Sequence, residues 1–268
     1  MYSKMVSGGR LGTLFAEIGV IGQQEAVLLG GLFFAAAILY SSVGHGGASG
    51  YLAAMGLLGV APAVMRPTAL VMNIAVSSIS LYKFSRANGF HWRLFWPFAV
   101  TAVPMAFVGG RIQLPVSWFG VLVGCVLVFS AIRLLIEALT GDKQARAIKG
   151  PPPVVLALIL GAAIGLLSGL TGVGGGIFLS PLLVLTGWAT VRDSAAPTAA
   201  FILVNSISGL LGLLSRQPTL PEALPFWVAA VIAGGLIGAT YGSRRLGNNA
   251  MRQALAAVLV IAGAKMIL

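Results

Sequence analysis

Charged residues are scarce in this chain, and acidic ones are the scarcest. Only 9% of its 268 residues are charged, with seventeen lysines and arginines against six acidic residues, whereas ordinary soluble domains carry about 25%. So few charges cannot cover the surface of a soluble protein of 27.5 kDa, and the mean hydropathy is +0.97. Composition therefore excludes a soluble enzyme, a nucleic-acid-binding protein and a disordered chain. We expect lipid to be the solvent for most of the chain.

Cysteine and membrane-buried carboxylates are also lacking. The single cysteine, Cys125, excludes an internal disulfide and a site of several thiolates. All six acidic residues lie at the ends of apolar blocks or in loops, so we do not expect a carboxylate-based sodium or proton pump. The net charge of +11 comes from bases that punctuate the apolar runs. This distribution is typical of the loops of a multi-pass membrane protein, and it indicates lipid rather than nucleic acid as a partner.

What the chain does have is a series of apolar blocks separated by charge or by glycine and proline. Because about 20 apolar residues are needed to cross a bilayer, this series predicts an all-α polytopic membrane protein. The two 13-residue blocks, 49–61 and 177–189, are too short to span on their own. The blocks are Ala26–Val43, Ser49–Ala61, Thr68–Phe84, Leu94–Gly110, Val116–Leu139, Val154–Leu170, Ile177–Ala189, Ala195–Leu214, Ala223–Gly242 and Ala250–Leu268.

The blocks form two repeats of about five helical elements each, at 26–140 and 154–268. Pro67-Thr68-Ala69 recurs 130 residues later as Pro197-Thr198-Ala199, and the glycine-rich turns recur at the same offset. We interpret residues 1–25 as an N-terminal lead-in and the proline-rich stretch 141–153 as a cytoplasmic linker. Inverted and parallel repeats place equal numbers of bases on the cytoplasmic side. We favour inversion, with a re-entrant glycine-rich hairpin in each repeat, because the interrupted elements occupy corresponding positions.

The two glycine-rich turns are the candidate functional site. Each lies between apolar blocks, where a non-helical backbone must line protein or water. Glycine allows close backbone approach to a ligand, and the helix that follows offers free N–H groups and the positive end of its dipole. The turns therefore predict a site for a small oxyanion. The expected backbone donors are Gly44, Gly46, Gly47, Gly174, Gly175 and Gly176.

Neutral polar side chains near the turns are the expected side-chain donors. Each could instead hold helices together or bond back to its own helix. His45, aligned with Gly175 at the offset of 130, is either an anion donor that couples transport to protons or a neutral imidazole held by the backbone. We expect Arg66 and Arg192 to anchor helix ends in headgroups rather than to attract anions. The donors are His45, Thr68, Asn73, Thr171, Thr198 and Asn205.

Two further patterns bear on function. Glycines spaced by four residues, such as Gly161, Gly165 and Gly169, predict helix-packing faces. Residues 47–50 match the Gly-x-Ser-Gly of intramembrane serine proteases, which need a histidine to activate the serine. His91, the candidate besides the neighbouring His45, lies among loop charges. We therefore expect no enzyme and keep the protease as a minor alternative.

The residues in and after the two turns resemble the TauE/SafE sulfite exporter family across about residues 26–268. The resemblance implies a secondary transporter of the inner membrane for sulfite, sulfonates or sulfoacetate-like anions, without a bound cofactor. We expect alternating access around a central site, with a passive anion channel as the alternative, and a homo-oligomer is compatible with either. The segments that carry the resemblance are Ser42-Val43-Gly44-His45-Gly46-Gly47, Pro67-Thr68-Ala69 with Asn73, Ser168 to Gly176, and Ala196-Pro197-Thr198-Ala199 with Asn205.

Overall fold

The computed structural model describes residues 22–140, 150–215, 220–243, 259–261 and 263–267, and every regular element within these ranges is helical. Residues 1–21 and 141–149, which hold most of the expected lead-in and linker, lie outside them. The predicted all-helical fold is confirmed. The helices with defined bounds are α1 (Gln23–Ser41), α2 (Ala48–Leu57), α3 (Pro62–Asn88), α4 (Trp92–Arg111), α5 (Val116–Thr140), α6 (Val154–Thr171), α7 (Gly176–Leu185), α8 (Val191–Leu214) and α9 (Leu224–Gly242).

Seven of these helices are long and apolar enough to cross a membrane, and α2 and α7 are the two that are not. Each short helix has ten residues and is therefore about 15 Å long. The described part of the chain is thus a multi-pass helical bundle with two short helices, each directly after a glycine-rich turn, as the block lengths predicted.

The start of α3 differs from the predicted block. The helix begins at Pro62 rather than at Thr68, and Pro67 lies in its interior. Proline is tolerated in the first turn, whereas an interior proline removes one helical hydrogen bond and its ring crowds the carbonyl four residues earlier, a cost that packing has to offset. In α8, Pro197 is likewise interior, and Thr190 caps the helix by accepting a hydrogen bond from the Asp193 amide at 3.1 Å. Both Pro-Thr pairs are therefore inside transmembrane helices.

The predicted glycine faces are packing faces. They bring α6 against α4 and α9 against α1 so closely that a Cβ at these positions would strike backbone or side-chain atoms of the partner. Residue numbers rise together within each pair of helices, so both pairs run parallel. The contacts join Gly161 to Phe98, Gly165 to Ala102, Gly169 to Ala106, Gly234 to Phe34, Gly238 to Ile38 and Gly242 to Ser42.

Gly165→Ala is expected to lower the stability of the bundle by about 1–3 kcal/mol, because its new methyl group would overlap the backbone of Ala102. Gly31→Ala is the matched control, since a Cβ on that α1 glycine meets nothing within 4 Å. Thermal unfolding of the two purified variants in the same detergent provides the comparison. Equal melting temperatures would show that the close approach of α4 and α6 is not a source of stability.

Side-chain bonds between helices define the two ends of the bundle. At the Asn88 end, the Arg192 Nε–H near the start of α8 donates to Asn88 Oδ1 at 2.7 Å. At the Ile112 end, Arg66 near the start of α3 donates to the carbonyl of Ile112, just beyond α4. Thus α3 runs from the Ile112 end to the Asn88 end, and α4 and α8 run the opposite way. The chain reaches the Ile112 end after α2 and the Asn88 end after α7, because α3 and α8 begin there.

Candidate functional site

Two glycine-rich breaks interrupt the bundle: the first break, residues 42–47, and the second break, residues 172–175. Gly44 and Gly172 both have φ of 81°, and the residues that precede the short helices, Gly47 and Gly175, have φ of 99° and 81°. Residues with a side chain rarely adopt this left-handed backbone conformation, which explains why glycine occupies these positions. The short helices α2 and α7 begin at an offset of 128, whereas α1 and α6 end at an offset of 130. The first break is therefore two residues longer than the second, and the alignment of His45 with Gly175 stays a prediction. The connection between the second break and Pro197-Thr198 is two residues longer than the connection between the first break and Pro67-Thr68.

The two breaks meet on either side of Asn73 from α3 and Ile202 from α8. A Cβ on Gly174 would lie 2.7 Å from Asn73 Nδ2 and 2.9 Å from Ile202 Cγ2. A Cβ on Gly46 would strike Asn73 Oδ1 and lie 3.1 Å from the same Ile202 methyl group. Asn73 Nδ2–H also donates to the Val173 carbonyl at 3.1 Å. The structure therefore brings Gly46, Gly174 and Asn73 together in one buried layer.

Several buried polar side chains on α3 and α8, the two helices that supply Asn73 and Ile202, have no hydrogen-bond partner among the described residues. The hydroxyls of Thr68 and Thr198, both side-chain atoms of the Asn205 amide, and Asn73 Oδ1 are in this state. All four side chains are fully buried. Buried polar groups in folded proteins are nearly always paired, because each unpaired one costs about 1–3 kcal/mol. Four of the six predicted side-chain donors therefore have unmet hydrogen-bonding capacity.

The second break has more polar surroundings than the sequence indicated. A Cβ on Gly174 would lie 3.0 Å from Ser206 Oγ, and one on Gly176 would lie 3.1 Å from Thr198 Cγ2. Ser206 was not among the predicted site residues, although its hydroxyl is buried and without a partner in the described structure. The signal was its position directly after Asn205 on the apolar helix α8.

Thr171 and His45 make local bonds. The Thr171 hydroxyl donates to the Leu167 carbonyl at 2.7 Å and is 3.4 Å from the Val173 amide nitrogen, which donates to it. Its hydroxyl proton is thus committed to shaping the second break. His45 is half-buried, and its Nδ1 lies 3.2 Å from the Val43 carbonyl oxygen.

Free amides lie at the start of each short helix. The Tyr51 N–H donates to the Gly47 carbonyl at 3.1 Å in α2, and the Phe178 and Leu179 N–H groups donate to the Gly175 carbonyl in α7. The amides that precede these donors have no helical acceptor, as at any helix start. Since each start follows a break, two positive helix ends border the layer that contains Asn73.

The role expected for Arg66 was wrong, whereas Arg192 is exposed near the start of α8 and its anchoring in headgroups stays a prediction. Arg66 is only 6% exposed, and its guanidinium donates to the carbonyls of Gly109 and Ile112 at the end of α4. It cannot anchor a helix end in headgroups from there. A helix extended through Pro67 would have placed Arg66 on one face with Asn73, Ser77 and Ser80, which are also buried.

Two cavities flank the layer between the breaks. One, of about 250 Å³, lies at the Ile112 end, and the other, of about 20 Å³ and large enough for about one water, contacts the first break and the helix α7 from the other side. Val116 in the first and Arg133 in the second are about 25 Å apart along α5. The larger cavity is lined by residues that include Arg66, Pro67, Gln113, Val116, Phe119 and Leu213. The smaller one is lined by Tyr40, Val43, His45, Ser130, Arg133, Ile177 and Pro181.

The serine of the protease-like motif has a different partner. The Ser49 hydroxyl donates to the Tyr40 phenol oxygen at 2.6 Å. His91 is exposed at the start of α4, at the Asn88 end. The serine–histidine pair that this chemistry requires is not formed within the described residues.

Known proteins match nearly the whole chain. The profile of the family described as Sulfite exporter TauE/SafE matches residues 28–266. A protein of Sinorhizobium fredii (strain NBRC 101917 / NGR234), described as "Probable membrane transporter protein y4hK", is 41% identical over 243 residues, which cover 91% of this chain and 98% of that protein. No solved structure matches significantly. The chain therefore belongs to the TauE/SafE family, and it is a membrane transporter.

Proposed function

We propose that this transporter carries small sulfur-containing oxyanions, such as sulfite or a small sulfonate, through a site between its two glycine breaks. One observation carries the proposal: both breaks converge on Asn73, and Asn73, Thr198 and Ser206 beside them have hydrogen-bonding capacity that the described protein does not use. The family description names sulfite export, which agrees with this chemistry.

The donors at the breaks suit an oxyanion. Hydroxyls, carboxamides and main-chain N–H groups donate hydrogen bonds to anionic oxygens without bringing a fixed positive charge into the layer. The acidic residues with described side chains, Glu25, Asp193 and Glu222, lie at or just before helix starts and do not face this layer. An anion between the breaks would therefore find donors and no nearby carboxylate among the described residues.

We further propose that the two halves are inverted repeats. Support comes from contacts exchanged between the halves: Gly44 of the first break packs against Ala195 on α8, and Gly172 of the second packs against Arg66 on α3. Exchange of this kind is expected when a two-fold axis relates the halves. The corresponding helices α3 and α8 run in opposite directions, which makes that axis parallel to the membrane plane.

The distribution of bases orients the protein in this proposal. Lys83, Arg86, Arg93 and Arg192 all lie near the Asn88 end. Cytoplasmic loops are enriched in lysine and arginine, so this end faces the cytoplasm. The linker at 141–153 then lies on the cytoplasmic side of the inner membrane, and the larger cavity opens to the opposite side.

The packed layer favours a carrier over a channel. Asn73 and Ile202 fill the space between the breaks, while cavities lie on both sides of them. A channel needs a continuous path, whereas alternating access needs a closed layer that opens to one side at a time. The rocking of one repeat against the other would supply that movement.

Thr68→Val and Thr198→Val are expected to reduce sulfite flux by at least about tenfold each without lowering the melting temperature. Both substitutions keep the side-chain shape, and both remove a buried hydroxyl that has no partner among the described residues. Folding therefore loses no hydrogen bond, whereas a bound oxyanion loses a donor. Flux into proteoliposomes and thermal unfolding of the same preparations measure the two effects.

Thr101→Val is the matched control. The Thr101 hydroxyl donates to the Leu158 carbonyl at 2.6 Å and so links α4 to α6 away from the breaks. This variant should be less stable than the wild type, and the sulfite concentration that gives half-maximal flux should be unchanged. If the wild type transports sulfite and both threonine variants transport it at the same rate, Thr68 and Thr198 are not part of the site. If the wild type transports no sulfur oxyanion, the proposed function is refuted.

A further inference from the structure

A buried cation lines the larger cavity. Arg66 is 6% exposed, and it borders the cavity of about 250 Å³ at the Ile112 end. Its guanidinium donates to two carbonyl oxygens, those of Gly109 and Ile112. Among the described residues no carboxylate contacts it, so its positive charge is solvated by neutral dipoles alone.

Tying α3 to α4 does not account for this side chain. A guanidinium has five N–H donors, and the bonds to Gly109 and Ile112 leave the Nε–H buried without a described partner. A charge within a membrane protein is costly, and it is usually paired or placed on the path of an ion or substrate. A neutral donor could tie the two helices together without that cost.

Arg66 also contacts the proposed transport site. A Cβ on Gly172 of the second break would lie 3.1 Å from the Arg66 carbonyl oxygen and 3.2 Å from its Cγ. Thr68 follows two residues later on the same helix. The cavity and the layer between the breaks are therefore adjacent regions, with Arg66 at their boundary.

We infer that Arg66 forms an anion-binding station in the cavity at the Ile112 end, where a small oxyanion binds before or after it occupies the layer between the breaks. The inference rests on the proposed function and adds a specificity-determining residue to it. Arginine suits this role because its planar fork binds two oxygens of one oxyanion together.

Arg66 has no counterpart in the packing of the other half. In the other half, the residue that packs against Gly44, as Arg66 packs against Gly172, is Ala195. An alanine supplies neither charge nor donor. The smaller cavity on the other side of the layer is lined by Arg133 and His45 instead. Removing Arg66 should therefore weaken anion binding from the Ile112 end, and it should weaken the binding of dianions more than that of monoanions.

The test is the concentration dependence of sulfite transport by Arg66→Gln in right-side-out and inside-out membrane vesicles. We expect the half-saturating concentration to rise by about ten- to hundredfold for sulfite presented at the Ile112 end and to stay near the wild-type value at the other end. The half-saturating concentration should rise more for a divalent anion than for a monovalent anion when the two are assayed in turn. A change in stability alone would not produce either asymmetry.

Arg111→Gln is the matched control, since Arg111 is an exposed arginine at the same end whose guanidinium lies over the Phe107 ring. It should keep the wild-type half-saturating concentration. If Arg66→Gln kept the wild-type half-saturating concentration at both ends, Arg66 would only link α3 to α4 and the inference would be overturned. Sulfite flux through the wild-type protein would still support the proposed function in that case. No sulfite flux in the wild type would instead refute the function itself.

A second measurement avoids substitution and so does not depend on how the variant folds. An arginine-specific dicarbonyl reagent is applied to the wild-type protein with and without sulfite, and modification is read by peptide mass spectrometry. Because sulfite also adds to the carbonyls of the reagent, modification of Arg66 is expressed relative to that of Arg111 in the same sample. Saturating sulfite should lower this ratio. An unchanged ratio would contradict an anion-binding station at Arg66.

Discussion

Asn73→Asp is expected to reduce sulfite flux by at least about a hundredfold. The substitution keeps the shape of the side chain and places a carboxylate between Gly46 and Gly174, where an oxyanion would bind. Two like charges about 4 Å apart repel by about 4 kcal/mol at an effective dielectric constant of about 20, and about 2.7 kcal/mol corresponds to a hundredfold change in binding. The aspartate also loses the amide that donates to the Val173 carbonyl.

Asn88→Asp provides the control for this substitution on the same helix. Asn88 lies at the end of α3 and accepts a hydrogen bond from Arg192 at 2.7 Å, so an aspartate there gains an ion pair. Its flux should stay near that of the wild type in the same proteoliposomes. If Asn73→Asp transported as well as Asn88→Asp, Asn73 would not be next to the anion.

Gly174→Ala is expected to lose most of its flux, to less than about a tenth of the wild-type rate. Gly174 has φ of 80°, and its new methyl group would meet Asn73 Nδ2 at 2.7 Å and Ile202 Cγ2 at 2.9 Å. The left-handed conformation costs an alanine about 1–2 kcal/mol. The collision adds to this cost and displaces Asn73 from the position between the breaks.

Gly59→Ala separates the two contributions. Gly59 has φ of 72° but open space around its Cα, so this variant pays the conformational cost without a collision. It should show a modest fall in melting temperature and normal flux. Identical flux and melting temperature for Gly174→Ala and Gly59→Ala would mean that the second break can relax away from Asn73 and does not depend on this contact.

Features set by local spacing could be predicted from the sequence. The glycine faces follow from one helical turn between small residues, and the positions of α2 and α7 follow from apolar blocks too short to span. The bond from Thr171 to Leu167 is equally local, because a threonine four residues beyond a carbonyl on a helix can donate back to it. This bond shows why the type of a residue does not decide whether it binds a ligand or its own helix.

Features set by distant partners could not be predicted. The buried state of Arg66 depends on the carbonyls that end α4, and no spacing along the chain indicates that contact. Proline was interpreted as a helix boundary, although Pro67 lies inside α3. The different lengths of the two breaks could not be predicted either, since glycines recur within each and allow alignment at 128 or at 130 residues.

The most direct test of the account is to locate an anion in the protein. Crystals soaked in selenite, a heavier analogue of sulfite, would reveal selenium by its anomalous scattering. The account predicts a selenium peak between the breaks, with selenite oxygens about 3 Å from Asn73 Nδ2 and from amides at the start of α2 or α7. Selenium found only at the protein surface, in crystals of a protein that transports sulfite, would contradict it.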